Sequence, residues 1–417
     1  MLKEIFIQSV SALLRSRTRT ALTMLGIVWG IVAVALLVAY GSSFRTIMVG
    51  AFDAFGKSVI IAWPGQTSSQ AGGERAGRRI RLEQADVDAV LAEVPLMKSA
   101  CLESTQWRAI TYAERLTNNA VRGVCPEYGR MRNEIPSEGR WITPEDMMER
   151  RRVAFIGDEV RRKLFAGRPA VGETIRIAGM RFTVIGTMDK KIQFSNYFSS
   201  DDASVFIPYT AAGDLWDNRY GSVMVMETIN PEFEALAIRQ ALAAIAKRQR
   251  FSPADERAVM MHGRQEFRPV IDGITIGMQG LLLFIGTLTL GIGGVGVMNI
   301  MLVSVDERIR EIGLRRALGA KRWHIKAQFL SEALVITLIG GALGMVLAYG
   351  LSALIGTIPL LGALFDDASG QADIRLLISP MTVAISTGVL LLVGLLSGVA
   401  PAVRASNLAP AEALHYE

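Results

Sequence analysis

Four long stretches without a charged residue divide the chain of 417 residues. They cover residues 20–44, 273–305, 333–365 and 376–403. Crossing the hydrocarbon core of a bilayer takes about 20 apolar residues in a helix, so each stretch is long enough. Buried helices of water-soluble proteins are shorter and keep one polar face. The pattern therefore predicts four transmembrane helices, at residues 20–44, 273–305, 331–357 and 376–403.

The first two stretches carry further information. We expect the first to remain as a membrane helix, because its apolar part is too long for a signal peptide and Tyr40-Gly41-Ser42 is a poor cleavage site. As a helix, residues 273–305 would be about 50 Å long, which exceeds what a bilayer needs. The excess predicts an external stalk that continues from the second membrane helix.

The distribution of Lys and Arg predicts how the helices are oriented. Cytoplasmic connections of membrane proteins carry an excess of these cations. Residues 1–19 and 306–330 are rich in them, whereas residues 358–375 contain three Asp and one Arg. Both chain ends, including the tail at 404–417, are therefore predicted to be cytoplasmic. Residues 45–272 and the short loop at 358–375 are then external.

The external insert has the pattern of a mixed domain. Val and Ile predict a short strand at 58–63, and six further strand patterns follow between residues 107 and 226. Apolar residues at helical spacing predict one helix that stops at Pro95 and another at 231–249. The predicted fold class is an α-helical membrane domain with an α+β extracytoplasmic domain inserted between helices 1 and 2. The middle of the insert, about residues 130–220, is strand-rich.

Composition adds one exclusion and leaves one question open. The chain is 50% hydrophobic with a formal net charge of +6, and the cytoplasmic flanks account for much of that excess. We expect no nucleic-acid partner, because aromatic and basic residues are not interleaved. Cys101 and Cys125 both fall in the external insert, where they either form a disulfide or lie as lone thiols in strands.

The sequence offers few residues for catalysis. Its three histidines are far apart, so no metal site is predicted. The phrase GIGGVG at 291–296 lies inside a membrane stretch and lacks the preceding strand that a dinucleotide site requires. Asp201 and Asp202 are adjacent acids, and we expect them in a solvated turn. The sequence therefore predicts a chain without an active site of its own.

Small residues in the membrane stretches have a structural interpretation instead. Glycines four residues apart let transmembrane helices approach closely. Gly26 with Gly30, and Gly340 with Gly344, have this spacing and are predicted to pack helices together.

The segment DERIREIGLRRALGAKRWHIKAQFL, residues 306–330, places seven Lys or Arg and three acids between two membrane stretches. Residues 306–318 are predicted to form a helix that ends at Gly319. Its apolar strip is predicted to comprise Val305, Ile309 and Ile312, with Leu318 on the flank. A plain positively charged loop needs no helical periodicity, so we interpret the segment as a structured element that contacts a partner.

This segment resembles the cytoplasmic segment of FtsX-like permeases of ABC transporters, whose pattern runs R-x-x-E-I-G-x-x-x-A-x-G-A. The matching residues are Arg308, Glu311, Ile312, Gly313, Ala317, Gly319 and Ala320. The phrase RTALTMLGIVWGIVAVALL resembles the first helix of MacB-type permeases. EGRWIT, RRVAFIGDEVRRKLF and VGETIRIAGMRFTVIG resemble their periplasmic core domain, and PAVRASNLAPAEALHYE matches the family's ending. The resemblance covers nearly the whole chain.

The resemblance implies a multi-pass permease of the bacterial inner membrane, with the membrane domain of a type VII ABC transporter. Its insert would have porter-like ends and a Sabre-like middle. Two permease subunits, as a homodimer or a paralogous heterodimer, would assemble with cytoplasmic ABC ATPase subunits. ATP and Mg would bind to the ATPase, which we expect as a separate chain because this sequence has no Walker A loop, and no cofactor is expected on this chain.

The same resemblance implies a mechanism and its residues. ATP hydrolysis would move the external domain through the helices, which is called mechanotransmission, and would drive export or efflux. The residues expected to couple to the ATPase are Glu307, Arg308, Glu311, Ile312, Gly313, Arg315 and Gly319. Membrane lipids, a periplasmic adaptor and an outer-membrane component are further expected partners. Lipoprotein extraction of the LolC or LolE kind and FtsX-like regulation of cell-wall hydrolases are the alternatives.

Overall fold

The computed structural model describes residues 17–56, 58–70, 75–193, 197–360, 362 and 372–409, with side chains from Met24 onward. The predictions for residues 1–16, most of the 358–375 loop and residues 410–417 lie outside this part of the chain. The chain divides into two compact units. The inserted unit is Met48–Asp272, and the helical unit combines the residues up to Ile47 with those from Gly273 onward.

The helices of the described residues, in chain order, are α1 (Arg17–Asp53), α2 (Gln84–Glu93), α3 (Pro126–Met131), α4 (Pro144–Met148), α5 (Asp158–Phe165), α6 (Tyr209–Ala212), α7 (Glu234–Gln249), α8 (Arg264–Glu307), α9 (Ile309–Ala317), α10 (Arg322–Ile355) and α11 (Pro380–Asn407). The strands are β1 (Val59–Pro64), β2 (Met97–Tyr112), β3 (Arg115–Val124), β4 (Pro136–Gly139), β5 (Val153–Ile156), β6 (Thr174–Ile177), β7 (Met180–Met188), β8 (Ser204–Pro208), β9 (Val223–Thr228), β10 (Val259–Gly263), β11 (Thr357–Ile358) and β12 (Ile374–Arg375).

Four of these helices, α1, α8, α10 and α11, are long and apolar enough to cross a membrane. Each is longer than about 20 residues, and α8 extends over 44 residues. Both α1 and α8 continue beyond the uncharged stretches into charged sequence. The predicted stalk sequence before Gly273 therefore belongs to the same helix as the second membrane stretch. The connection between α10 and α11 contributes the small β11–β12 pair, with Thr357 opposite Arg375.

Glycines set the spacing between helices in the helical unit. A Cβ atom on Gly26 would lie 3.3 Å from the Cα atom of Gly293 in α8, which is tighter than most contacts of this kind. The corresponding position on Gly30 meets Leu290, and on Gly340 it lies 3.0 Å from the side chain of Ile27. A Cβ at Gly30 would overlap the neighbouring helix, whereas at Gly26 and Gly340 it would force the neighbour to shift by a few tenths of an ångström.

The inserted unit contains a mixed sheet with the main strand order β10-β1-β9-β2-β3-β8-β5-β7-β4, and β6 also pairs with β2 and β7. This order brings the first strand of the insert between its last two strands. Helices α2 and α7 cover that end, around a core that includes Ile60, Val90, Met226 and Ile245. The beginning and the end of the insert therefore fold together as one part.

The middle of the insert forms the other end of the sheet. The pairs β3–β8 and β5–β7 are parallel, and their neighbours are antiparallel. Apolar side chains including Phe155, Phe182 and Phe206 fill the layers on either side. Cys101 and Cys125 form a disulfide in the structure, and their Cα atoms are 6.1 Å apart. Of the two alternatives that the sequence left open, the fold supports the disulfide.

Candidate coupling site and buried ion network

The charged segment is built around the short helix α9. The long helix α8 continues through Asp306 and Glu307 and ends there, and Arg308 breaks the helical path with φ −113° and ψ 17°. One continuous helix from 306 to 318 is therefore a wrong prediction, because α9 starts anew after Arg308. Gly319 has φ +98°, a left-handed conformation that glycine adopts without strain, and it ends the segment as expected from its sequence.

The inner side of α9 is apolar and buried. Ile309, Ile312 and Gly313 are buried, and Ile312 packs in the core of the helical unit with Val305, Ile325 and Phe329. Because these contacts come from α8 and α10, α9 is held against the ends of the membrane helices and is not a detached loop.

Two arginines tie α9 to α10. Arg308 lies with Nη1 3.2 Å from a carboxylate oxygen of Glu332, which is itself buried. Arg315 donates from Nη1 to Oε1 of Gln328 at 2.6 Å and from Nη2 to Oε1 of Glu311 at 2.6 Å. The hydrogen bond with Gln328 spans two helices, so a rotation of α9 has to displace α10 or break it.

A third arginine ties α9 to the last membrane helix. Arg316 donates to the backbone carbonyl oxygens of Ser406 at 3.0 Å and Leu408 at 2.6 Å. These carbonyls are at the carboxyl end of α11, where a helix leaves acceptors unsatisfied and favours a positive charge. Arg404, in the last turn of α11, pairs with Asp306 at 2.9 Å. α9 is therefore connected to α10 and α11 by charged side chains.

The outer side of α9 and of the turn that follows is exposed and partly apolar. The exposed fraction is 53% for Leu314, 81% for Leu318 and 67% for Trp323. Leu318 was predicted on the flank of the apolar strip, and the structure leaves it exposed next to the turn at Gly319. The exposed cations around these side chains are Arg310, Lys321 and Arg322. We call Leu314, Leu318 and Trp323, with these cations, the outer patch.

The predicted coupling residues divide between the two sides. Arg308, Ile312, Gly313 and Arg315 contact the helical unit, as described above. The remaining ones, Glu307, Glu311 and Gly319, are exposed. Sequence reasoning missed Leu314 and Trp323, although exposed apolar residues within a charged segment were a signal that could have found them.

Comparison with known proteins identifies the family. Residues 20–245 match the MacB-like periplasmic core domain, and residues 283–410 match the FtsX-like permease C-terminal domain. The chain belongs to the family of MacB-like permeases. It is a membrane protein, and its inserted unit is the periplasmic core domain of the family.

Two curated relatives match nearly the whole chain. The macrolide export ATP-binding/permease protein MacB of Bdellovibrio bacteriovorus is 31% identical over 412 residues, which are 98% of this chain and 61% of that protein. The protein of the same name from Chlorobaculum tepidum is 32% identical over 417 residues, 99% of this chain and 61% of the relative. The permease thus spans about three fifths of the length of these relatives.

Two solved structures also resemble the chain. The alignment with the periplasmic region of MacB from Actinobacillus actinomycetemcomitans covers 54% of this chain and 97% of that structure, with 13% identity and a TM-score of 0.43. The alignment with the extracellular domain of the noncanonic ABC-type transporter YknZ covers 49% of this chain and 99% of that structure, with 14% identity and a TM-score of 0.40.

Asp201 lies at the centre of a buried ion network in the inserted unit of the permease. Its side chain is fully buried, with Nη2 of Arg132 at 3.1 Å, Nζ of Lys191 at 2.9 Å and Nη1 of Arg122 at 3.4 Å. Asp202 is also buried and accepts a hydrogen bond from the backbone N–H of Lys191 at 2.9 Å. The prediction of a solvated turn is therefore wrong, because three cations draw this turn into the domain.

The network contains three cations and three carboxyl groups. Glu103 lies 3.6 Å from Arg122, and Glu134 lies 3.1 Å from Lys191. With Asp201, these two carboxylates face three cations. Burial opposes ionisation of Asp201, but Arg132 and Lys191 outweigh it and hold the pKa of this carboxyl well below its usual range. Burial, together with the nearby charge of Asp201, raises the pKa of Glu134 to about 8.

One residue of the network, Arg122, can be recognised as unusual from the sequence alone. Arg122 stands in the otherwise apolar phrase AVRGV of β3, and a buried Arg in a central strand requires a buried acid. No local pattern indicates which acid, because the loop that carries Asp201 is far away along the chain. The partner could be found only from the fold.

Proposed function

We propose that this chain is the permease subunit of a MacB-like ABC transporter. A cytoplasmic ABC ATPase that binds ATP and Mg docks on the outer patch. Its hydrolysis cycle moves the inserted unit, in support of export or efflux at the periplasmic side. In this assignment both chain ends and α9 are cytoplasmic, as the distribution of Lys and Arg favours.

The observation that carries the proposal is the two-sided construction of α9. Its inner side is connected by Arg308, Arg315 and Arg316 to α10 and α11. Its outer side presents Leu314 and Leu318 to the surroundings. An exposed apolar patch with a polar rim is typical of a protein–protein contact. A force applied to the outer patch is therefore passed to two membrane helices.

A second permease subunit is part of the proposal. Gly273, Gly277, Gly280 and Gly291 lie on one side of α8, since at 100° per residue they fall within about 60° of each other. Within the described part of the chain, nothing lies within 4 Å of the position of a Cβ on any of them. Small residues that no helix of the same chain covers support close packing by a helix of another subunit, either a second copy or a paralogue.

Alanine substitution of Leu314 and Leu318 tests the docking proposal. The permease is co-expressed with a cytoplasmic ABC ATPase, purified in detergent by a tag on the permease, and assayed for bound ATPase. We expect the double variant to lose at least about tenfold in affinity, equivalent to about 1.4 kcal/mol, because two exposed apolar anchors are truncated. Leu116→Ala, an equally exposed leucine of the inserted unit, is the control. Undiminished ATPase binding by the double variant would contradict the proposal.

A further inference from the structure

The first two candidate membrane spans end at a shared ion pair. Asp53 is the last residue of α1, and Arg264 is the first residue of α8. Their side chains form a salt bridge, and Arg268, one turn into α8, lies 3.6 Å from the same carboxylate oxygen. Arg264 is buried, with its guanidinium carbon 4.8 Å from the ring centre of Phe52. The two helix ends are therefore joined by charged side chains, of which Arg264 is buried and Asp53 is partly exposed.

The start of α8 is also held by a residue from another helix of the inserted unit. Glu234, the first residue of α7, is buried and accepts a hydrogen bond from the backbone N–H of Gln265 at 2.7 Å. A carboxyl oxygen at this place satisfies one of the N–H groups that the start of a helix leaves without a partner. Gly263 leaves the space that the carboxylate occupies, since a Cβ there would overlap Glu234.

The loop that follows α1 is held from two sides. Arg264 donates to the carbonyl oxygen of Gly56 at 3.1 Å, and Arg132 donates to the carbonyl oxygen of Phe55 at 2.9 Å. Gly56 has φ +118° and lies against the carbonyl of Met131, where no side chain fits. Because Arg132 also binds Asp201, the loop is connected to the buried ion network.

These contacts contrast with what a simple anchor needs. A domain that only has to remain attached to the membrane requires a covalent linker, and flexible linkers do not transmit displacement. Here each helix end is fixed by buried, charged contacts, and withdrawing one partner of such a contact is strongly destabilising. A helix that shifts or rotates therefore has to carry the attached strands with it.

We propose that Asp53, Arg264 and Glu234 form a joint through which displacement of α1 and α8 reaches the inserted unit. This inference rests on the proposed function, because it assumes that an ATPase supplies the displacement. The three residues position the helix ends and contact no substrate. Glu234 passes the displacement of α8 to α7 and β10, and Arg264 with Asp53 makes the two helices move as a pair.

The joint is tested in the complete complex with its ATPase, reconstituted in nanodiscs. Hydrogen exchange of β1 and β10 is measured by mass spectrometry with and without ATP and Mg, alongside the ATP hydrolysis rate and the unfolding temperature. The variants are Arg264→Met, Glu234→Gln and the charge-reversed pair Asp53→Arg with Arg264→Asp. Arg239→Met, an exposed arginine on α7, is the matched control.

We expect Arg264→Met to bind the ATPase and hydrolyse ATP as the unaltered chain does. Its ATP-dependent change in exchange should fall at least about fivefold, the lower end of typical coupling between sites. The charge-reversed pair should restore most of the change, which a loss of packing alone would not explain. If Arg264→Met lowers the unfolding temperature, the test rests on the charge-reversed pair instead, because that variant keeps an ion pair between the two helix ends.

The outcomes separate the two proposals. A full ATP-dependent change in Arg264→Met, or a charge-reversed pair that is stable but transmits no change, overturns the joint and leaves the proposed function intact. An unaltered chain that binds no ATPase overturns the proposed function, and the joint with it.

Discussion

Replacing Asp201 by Asn tests whether the buried ion network stabilises the inserted unit as its geometry indicates. The substitution keeps the size of the side chain and removes one negative charge. Both carboxylate oxygens of Asp201 accept from Nη2 of Arg132, at 3.2 and 3.1 Å, and Lys191 lies at 2.9 Å. The variant therefore removes one negative charge from between buried cations and leaves Arg132 and Lys191 without their shared carboxylate.

The expected magnitude follows from the burial of these groups. Removing one partner of a buried ion pair costs about 3–5 kcal/mol, because the remaining charge is desolvated without compensation. For a domain of this size, about 1 kcal/mol corresponds to about 2–4 °C in the unfolding temperature, so we expect a fall of about 6–20 °C. Adding Lys191→Met removes one positive charge, which offsets the charge lost at Asp201, and should recover part of this loss.

Acidification gives an independent check on the same residue. Because the pKa of Asp201 is lowered in the folded state, its contribution is fully present above the unfolded pKa near 3.9 and is lost as the pH falls below it. The amide that replaces this carboxyl does not titrate, so the Asp201→Asn variant should lose less stability than the unaltered chain between about pH 4 and pH 2.

The assay is hydrogen exchange of β3 and β8 in the full chain in nanodiscs, combined with thermal unfolding. Asp214→Asn is the matched control, since its partner Arg152 is half exposed and such surface pairs contribute about 0–1 kcal/mol. Equal losses for Asp201→Asn and Asp214→Asn would refute the reasoning, because the network would then contribute no more than a surface pair.

Three further predictions concern packing, pH and the disulfide. Gly344→Ala should destabilise the helical unit by about 1–3 kcal/mol in denaturant titrations, because the new Cβ overlaps Ile31, whereas Gly350→Ala on the same helix has open space and should be neutral. Burial raises the pKa of Glu234 to about 7, so the protonated side chain is favoured in the folded state; this contribution is full below the unfolded pKa of about 4.3 and is lost as the pH rises through 7, and Glu234→Gln should flatten the unfolding temperature between about pH 4 and pH 8. Reduction of the disulfide, which joins positions 24 residues apart, should lower stability by about 2–3 kcal/mol in a dithiothreitol titration. The first account is contradicted if Gly344→Ala and Gly350→Ala are equally stable. The second is contradicted if Glu234→Gln keeps the pH dependence of the unaltered chain, and the third if reduction leaves the unfolding temperature unchanged.

The sequence predicted the helical unit well because its signal is local. An uncharged run of more than about 20 residues can satisfy its backbone in a bilayer only as a helix, whatever its neighbours are. The end of α9 at Gly319 was likewise predictable, since the left-handed conformation there favours glycine. The break at Arg308 was not, because periodicity continues across it and the Arg308–Glu332 pair that accompanies it is a long-range contact.

In the inserted unit, local sequence patterns predict the strands but not how they pair. Its strands were visible as β-branched runs, but the placement of β1 between β9 and β10 depends on pairing between distant residues. Asp201 was misplaced for the same reason, since only the fold brings Arg122 and Arg132 to it. Glu234 was not singled out in the sequence, and its contact with the start of α8 is visible only in the fold.

The central claim is that ATP-driven motion enters at the outer patch and reaches the inserted unit. The most direct measurement is the hydrogen exchange of the inserted unit in the complete complex in nanodiscs, with and without ATP and Mg. We predict that nucleotide changes exchange in the unaltered complex and that Leu314→Ala with Leu318→Ala abolishes the change. A complex that binds its ATPase and hydrolyses ATP while exchange in residues 48–272 stays the same would contradict the account.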